Sequence, residues 1–75
     1  MTEPEIIAAL RLQNIPNIGD VTAKKLIAHC GSPTAIFEDK LHHLLKIDGI
    51  GKMTLKGLFD SIHLEEAQKE FEFLS

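Results

Sequence analysis

Ile15-Pro16-Asn17-Ile18-Gly19 and Ile47-Asp48-Gly49-Ile50-Gly51 are the same turn written twice, 32 residues apart. The stretches that follow keep the register: Thr22 pairs with Thr54, Lys24 with Lys56 and Leu26 with Leu58. The apolar set Ala23, Leu26, Ile27 and Cys30 falls onto Leu55, Leu58, Phe59 and Ile62. Both sets run i, i+3, i+4, i+7, the spacing of one helix face. The chain therefore carries an internal duplication of a glycine-ended turn that opens into a helix. Such a corner presents backbone N–H groups without helical partners, at the positive end of a helix dipole. That surface suits a phosphate.

Helix signals surround both corners. Thr2-Glu3-Pro4-Glu5 predicts a start, with Thr2 as N-cap, Glu5 as its capping-box partner and Pro4 in the first turn. The helix should run to about Gln13, with Ile6, Ala9, Leu10 and Gln13 or Leu12 inward, before Asn14 and Pro16 end it. After the first corner, a helix from Asp20 to His29 should close at Gly31 in the left-handed conformation. Ser32-Pro33 then restarts the chain as N-cap and first helical residue. Asp39 is the expected N-cap of a further helix with Leu41, Leu44 and Leu45 inward and His42 and His43 outward. The second corner should lead into a helix from Lys52 to Asp60, and Leu64, Ala67, Phe71 and Leu74 stripe a last acidic helix. No strand pattern appears. The expected fold is all-α: about five short helices in two equivalent units, residues 1–62, plus an amphipathic helix over 63–75. Each unit offers one apolar stripe and needs the other to bury it.

Seventy-five residues make one small domain, with 44% hydrophobic and 25% charged residues, enough for a core. A single cysteine excludes an intramolecular disulfide, and Glu3 and Glu5 stand where a secretory leader carries positive charge. Those features point to a reducing cytoplasm. Apolar runs such as Ile6 to Leu10 fall far short of the roughly 18 residues a membrane span needs, so no membrane partner is expected. Net charge is −3, yet residues 14–56 balance at +2 while residues 60–75 contribute −4. An acidic tail masks a mildly basic body.

The candidate binding residues follow from the corners. Ile18 and Ile50 anchor each turn in the core. Gly19 and Gly51 let a ligand phosphate approach the amides, and Asn17 and Gly49 occupy the position where φ > 0 is expected. Lys52 and Lys56 add charge at the second turn, and Lys24 and Lys25 serve the first from a greater distance. Contacts of this kind hold backbone and shape and do not read base sequence.

Both hairpins, within about residues 5 to 62, resemble the tandem helix-hairpin-helix fold, (HhH)2, of DNA repair, recombination and competence proteins. Within it, the chain looks most like the N-terminal domain of the bacterial DNA-processing protein A (DprA, or Smf) family. The resemblance rests on Leu10-Arg11-Leu12, Ile15-Pro16 and Ile18-Gly19, on Thr22-Ala23-Lys24-Lys25-Leu26-Ile27, on Gly31-Ser32-Pro33, on the second corner, and on Leu64-Glu65-Glu66-Ala67. It implies a non-enzymatic accessory role in DNA uptake, natural transformation and recombination. It also implies a following single-strand-binding domain and contact with a RecA-type recombinase through the full-length protein. This chain departs from the family's usual Pro-Gly hairpins, and Asp20 and Asp48 put negative charge beside the corners, so DNA contact should be weak, to single or double strands. The alternative is a protein-interaction or spacer domain, dimerising or docking on a following domain.

Other chemistries find little support. His42 and His43 are adjacent and diverge, as do His29 and Cys30, so no metal site or cofactor is expected. Ser32 and Ser61 have the look of caps, and no nucleophile, base and acid stand in a catalytic pattern, so the chain is not expected to be an enzyme. Phe71, Phe73 and Leu74 on the last helix are candidates for a homodimer contact.

Overall fold

A computed structural model describes residues 2–74 as six helices with no strand among them: α1 (Glu3–Asn14), α2 (Asp20–Cys30), α3 (Pro33–Glu38), α4 (Leu41–Leu44), α5 (Lys52–Leu58) and α6 (Ser61–Leu74). The caps explain most boundaries. Thr2 Oγ1 accepts the Glu5 amide, the expected N-cap, and Glu5 closes the pair by accepting the Thr2 hydroxyl at 3.0 Å, where a capping box would have it accept the Thr2 amide. Ser32 Oγ accepts the Ala35 amide at 3.1 Å ahead of Pro33. Gly31 closes α2 at φ 101°, its amide donating to the Ile27 carbonyl at 2.7 Å.

The duplication appears in the hydrogen bonds. Ile15 N–H to Leu12 O, Ile18 N–H to Ile15 O and Ala23 N–H to Gly19 O recur as Ile47 to Leu44, Ile50 to Ile47 and Leu55 to Gly51. Burial repeats with them: Leu12 and Leu44, Ile18 and Ile50, and Leu26 and Leu58 all lie in one shared core, which Ile15, Leu55 and Ile36 complete. Two equivalent stripes have covered each other, as their apolar spacing requires.

Several inward assignments shift. On α1 the buried residues are Ala8 and Leu12, whereas Gln13 is exposed and Ile6, Ala9 and Leu10 are half-buried. The helix is covered on two sides, by the core and by α6, so a single stripe misplaces its centre. On α4 only Leu44 is buried; Leu41 and Leu45 are 55% and 44% exposed, because four helical residues turn one side chain inward. Its N-cap is Lys40 and not Asp39, which instead closes α3. The chain between Lys52 and Asp60 does not stay helical: α5 ends at Leu58, and Asp60 Oδ1 accepts the Ile62 amide at 3.1 Å to start α6. Asp60, not Ser61, is the cap there. Ile62 therefore belongs to α6 and is exposed, so its equivalence to Cys30 fails in space.

α6 packs along α1 through Ala67, which is fully buried, with Leu64 and Phe71 half-buried; Asn14 Nδ2 donates to Glu70 Oε1 at 2.6 Å. Arg11, which had no signal in the sequence, ties three helices together. Its guanidinium lies 4.0 Å from the Phe37 ring centre, and Nη2 donates at 3.0 Å to the carbonyl of Leu58, at the end of α5 where carbonyls lack helical partners. Burial lowers its pKa from the ordinary arginine value.

The two units also interlock. A Cβ built on Gly57 in α5 would meet Ile15 Cγ2 at 2.8 Å, so the helix of the second unit presses on the hairpin of the first. Ile15 is β-branched and 2% exposed, and cannot swing away. Gly57→Ala should gain about 1 kcal/mol of helix propensity and lose about 1–3 kcal/mol to overpacking. A net destabilisation is expected in urea unfolding, and Ile15→Leu in the same background, which removes the Cγ2 branch at similar volume, should partly relieve it.

Candidate nucleic-acid interface

The two corners stand on buried isoleucines. Ile18 and Ile50 are 8% and 7% exposed, and their amides close the turns onto Ile15 and Ile47 at 3.2 and 3.1 Å. Everything between them faces outward: Pro16, Asn17 and Gly19 in the first, Asp48, Gly49 and Gly51 in the second. Gly19 and Gly51 take φ −87° and −112° with ψ near 180°, extended backbone open to any residue, and not unusual dihedrals. A Cβ on either would touch nothing of the chain. The corners are open on their outer side.

Both glycines are N-caps, and neither following helix has a side-chain cap, unlike α1 and α3. The first-turn amides of α2 and α5 are thus left for an external acceptor.

The turns are not identical. Gly49 has φ +85°, the sign that a type II turn requires at its third position, while Asn17 does not have a positive φ. Pro16 fits the second position of either turn type, and a type I turn with its negative φ at the third position suits Asn better. The expectation of φ > 0 is thus met at Gly49 and corrected at Asn17.

Lysine placement separates the corners further. Lys24, Lys25, Lys52 and Lys56 are all exposed. Lys24 shares a cleft with Ile18, Gly19 and Asp20, at the first corner as expected. Lys25 does not serve that corner: its Nζ lies 3.4 Å from where a Gly49 Cβ would be, against the second turn. Residues 25 and 57 hold equivalent places, each crossing to the other unit's hairpin; one is a glycine because Ile15 fills the space, the other a lysine. The second corner thereby has Lys25 against its turn and Lys52 directly after Gly51, with Lys56 one helical turn further along α5, whereas the first has Lys24 in a cleft with Asp20.

A titratable cluster ties the end of α2 to the junction of α3 and α4. Asp39 accepts the Lys40 amide at 2.8 Å, faces His43 Nδ1 at 3.0 Å and accepts the Cys30 thiol at 3.6 Å. The Lys40 amide first, and then the His43 and Cys30 hydrogen bonds, hold its pKa below the usual carboxylate value. Burial and the neighbouring carboxylate push the Cys30 thiol up, away from the reactive thiolate. His43 remains exposed, as expected, yet it is paired. Among the described residues, no group of three or more His, Cys, Asp or Glu is placed to hold a metal ion, and no helix is long and apolar enough to cross a membrane.

Two corners of this geometry, 32 residues apart in one helical core, match a known family model: the SAM-like helix-hairpin-helix tandem, over residues 9–63. The chain belongs to that family. Tandem helix-hairpin-helix domains are generally non-catalytic. No solved structure matches the chain.

Because the folded pKa of Asp39 lies below its unfolded value, its bonds stabilise the fold above the ordinary carboxylate pKa, and the contribution fades as pH falls through the lowered folded value. Asp39→Asn should therefore be less stable than wild type at neutral pH. The difference should narrow as pH falls below the ordinary carboxylate range and Asp39 takes up its proton. Urea unfolding of both proteins from neutral to acid pH measures it.

Proposed function

We propose that this tandem helix-hairpin-helix domain is a non-catalytic DNA-contacting module that holds phosphate backbone at its two corners, chiefly the second. The observation that carries this reading is the pair of open glycine corners, each ahead of a helix without a side-chain cap, with the Lys25 ammonium against the second turn and Lys52 and Lys56 exposed on the helix that follows it. Amides and lysines hold phosphate without reading bases. Asp20 and Asp48 keep the contact weak, on the order of 10⁻⁴ to 10⁻⁶ M and salt-sensitive.

The finer assignment, to a DprA-like protein of the cytoplasm acting in DNA uptake and recombination, is supported by the quoted run from Leu10 to Gly19, Gly31-Ser32-Pro33 and Leu64-Glu65-Glu66-Ala67. In such a protein residues 1–62 form the corner-bearing domain, residues 63–75 lead onward, and a RecA-type recombinase is met through the full-length protein. The protein-interaction reading is favoured by a different observation, the exposed Leu41, Leu45 and Phe59.

Fluorescence anisotropy with labelled single- and double-stranded oligonucleotides tests the DNA contact. Lys25→Ala, Lys52→Ala and Lys56→Ala should each weaken binding uniformly across sequences and reduce the salt slope by about 1. Lys24→Ala should do less. Equal binding by wild type and the triple variant at low salt would sink the proposal.

A further inference from the structure

The duplication makes two grooves of unlike chemistry. Ala9, Gln13, Asp20, Ala23, Lys24 and Ile27 line a cleft of about 270 Å³ between α1 and α2. Moved on by 32 residues, the same positions are Leu41, Leu45, Lys52, Leu55, Lys56 and Phe59, and these line a groove of about 590 Å³ between α4 and α5. Two alanines and a glutamine have become leucine, isoleucine has become phenylalanine, and aspartate has become lysine. The chain also covers the two unequally. Pro33, at the start of α3, borders the first cleft, and α3 packs on both α1 and α2. In the second unit the place of Pro33 is taken by Glu65, in α6, and α6 lies along α1 instead. Leu41, Leu45 and Phe59 are left 55%, 44% and 41% exposed.

The lining decides what can fill the space. Leu41, Leu45, Leu55 and Phe59 bring no hydrogen-bonding side chain, so a polar edge seated among them loses water without gaining a partner. A nucleobase has such edges; an aliphatic or aromatic side chain has none. Both walls have helical spacing, with Leu41 and Leu45 four apart on one side and Lys52, Lys56 and Phe59 at i, i+4, i+7 on the other. Walls of that kind take the i, i+4 ridge of another helix.

Charge decides the rest. Lys52 and Lys56 are exposed at the groove, whereas in the first cleft Asp20 stands with Lys24. Asp39, the acid that borders the second groove, already accepts the Lys40 amide at 2.8 Å and faces His43 Nδ1 at 3.0 Å. The groove is therefore apolar inside and cationic along its α5 wall. Its complement is apolar on one face and acidic beside it.

We propose that the α4–α5 groove docks an acidic amphipathic helix of a partner protein, with apolar residues set against Leu41, Leu45 and Phe59 and carboxylates against Lys52 and Lys56. The proposal rests on the protein-interaction reading of those exposed side chains and names the chemistry of the partner. It shares the two lysines with the DNA reading but not the leucines, so its test is made on the leucines.

Random-sequence peptides about four helical turns long, displayed and selected against the folded chain, are the probe. Enriched peptides should carry Asp or Glu beside apolar residues at i, i+4 spacing. Leu41→Ala/Leu45→Gln gives the second groove the residues of the first, at positions exposed enough to leave the core undisturbed. It should weaken those peptides at least about tenfold in fluorescence anisotropy, with helical circular dichroism and oligonucleotide binding unchanged. Lys52→Asp should weaken them by a smaller factor that high salt removes. Basic or uncharged peptides that depend on the leucines would overturn the acidic partner and leave protein docking standing. If no enriched peptide depends on the leucines, both fall. Loss of single-strand binding in the leucine variant, or self-association of the wild type that the variant abolishes, would assign the groove to DNA or to a second copy and overturn the proposal.

Discussion

Two apolar stripes, each too narrow to form a core alone, bury one another, and the rest of the structure depends on that mutual cover. Leu26 and Leu58 are the centre of it, both inaccessible to water, with Ile18 and Ile50 reaching in from the corners. Since the isoleucines that close the turns are also core residues, the outward face of each corner is set by interior packing. A corner cannot rotate without exposing its isoleucine. The amides and glycines are therefore held in place by apolar burial, although they lie on the surface.

The same mutual cover breaks the equivalence of the units. The helix of each unit crosses the hairpin of the other, once at Gly57 over Ile15 and once at Lys25 beside Gly49. One crossing is tight and apolar, the other wide enough for an ammonium group. Charge is redistributed as a consequence: a lysine encoded in the first unit lies against the second turn. The further loss of symmetry at Leu41, Leu45 and Phe59 leaves the second groove apolar and open, so one unit carries both the stronger cationic corner and the stickier surface.

Much of this was legible in the residues. The offset between corners predicted the repeated hydrogen bonds, and Thr2, Ser32 and Gly31 predicted their caps, because capping is chemistry between near neighbours in sequence. Errors fell where an element met more than one partner. α1 lies between the core and α6, so its inward face could not be found from one stripe. α4 is too short for a period to be measured. Phe59 and Ile62 continue the pattern of the first unit, but Asp60 starts a new helix and turns them out. Arg11 gave no warning, since its partners, Phe37 and the Leu58 carbonyl, come from distant parts of the chain.

Local rules thus fixed which residues turn, cap and form helices, and that two copies of one unit exist; these depend on dihedral preference and on hydrogen bonds spanning a few residues. Only packing decided how the copies cross, that Lys25 belongs to the second corner, and which leucines remain bare. Those outcomes depend on the volumes of side chains brought together from opposite units, as Ile15 against Gly57 does, and no spacing along the chain encodes a volume shared in space.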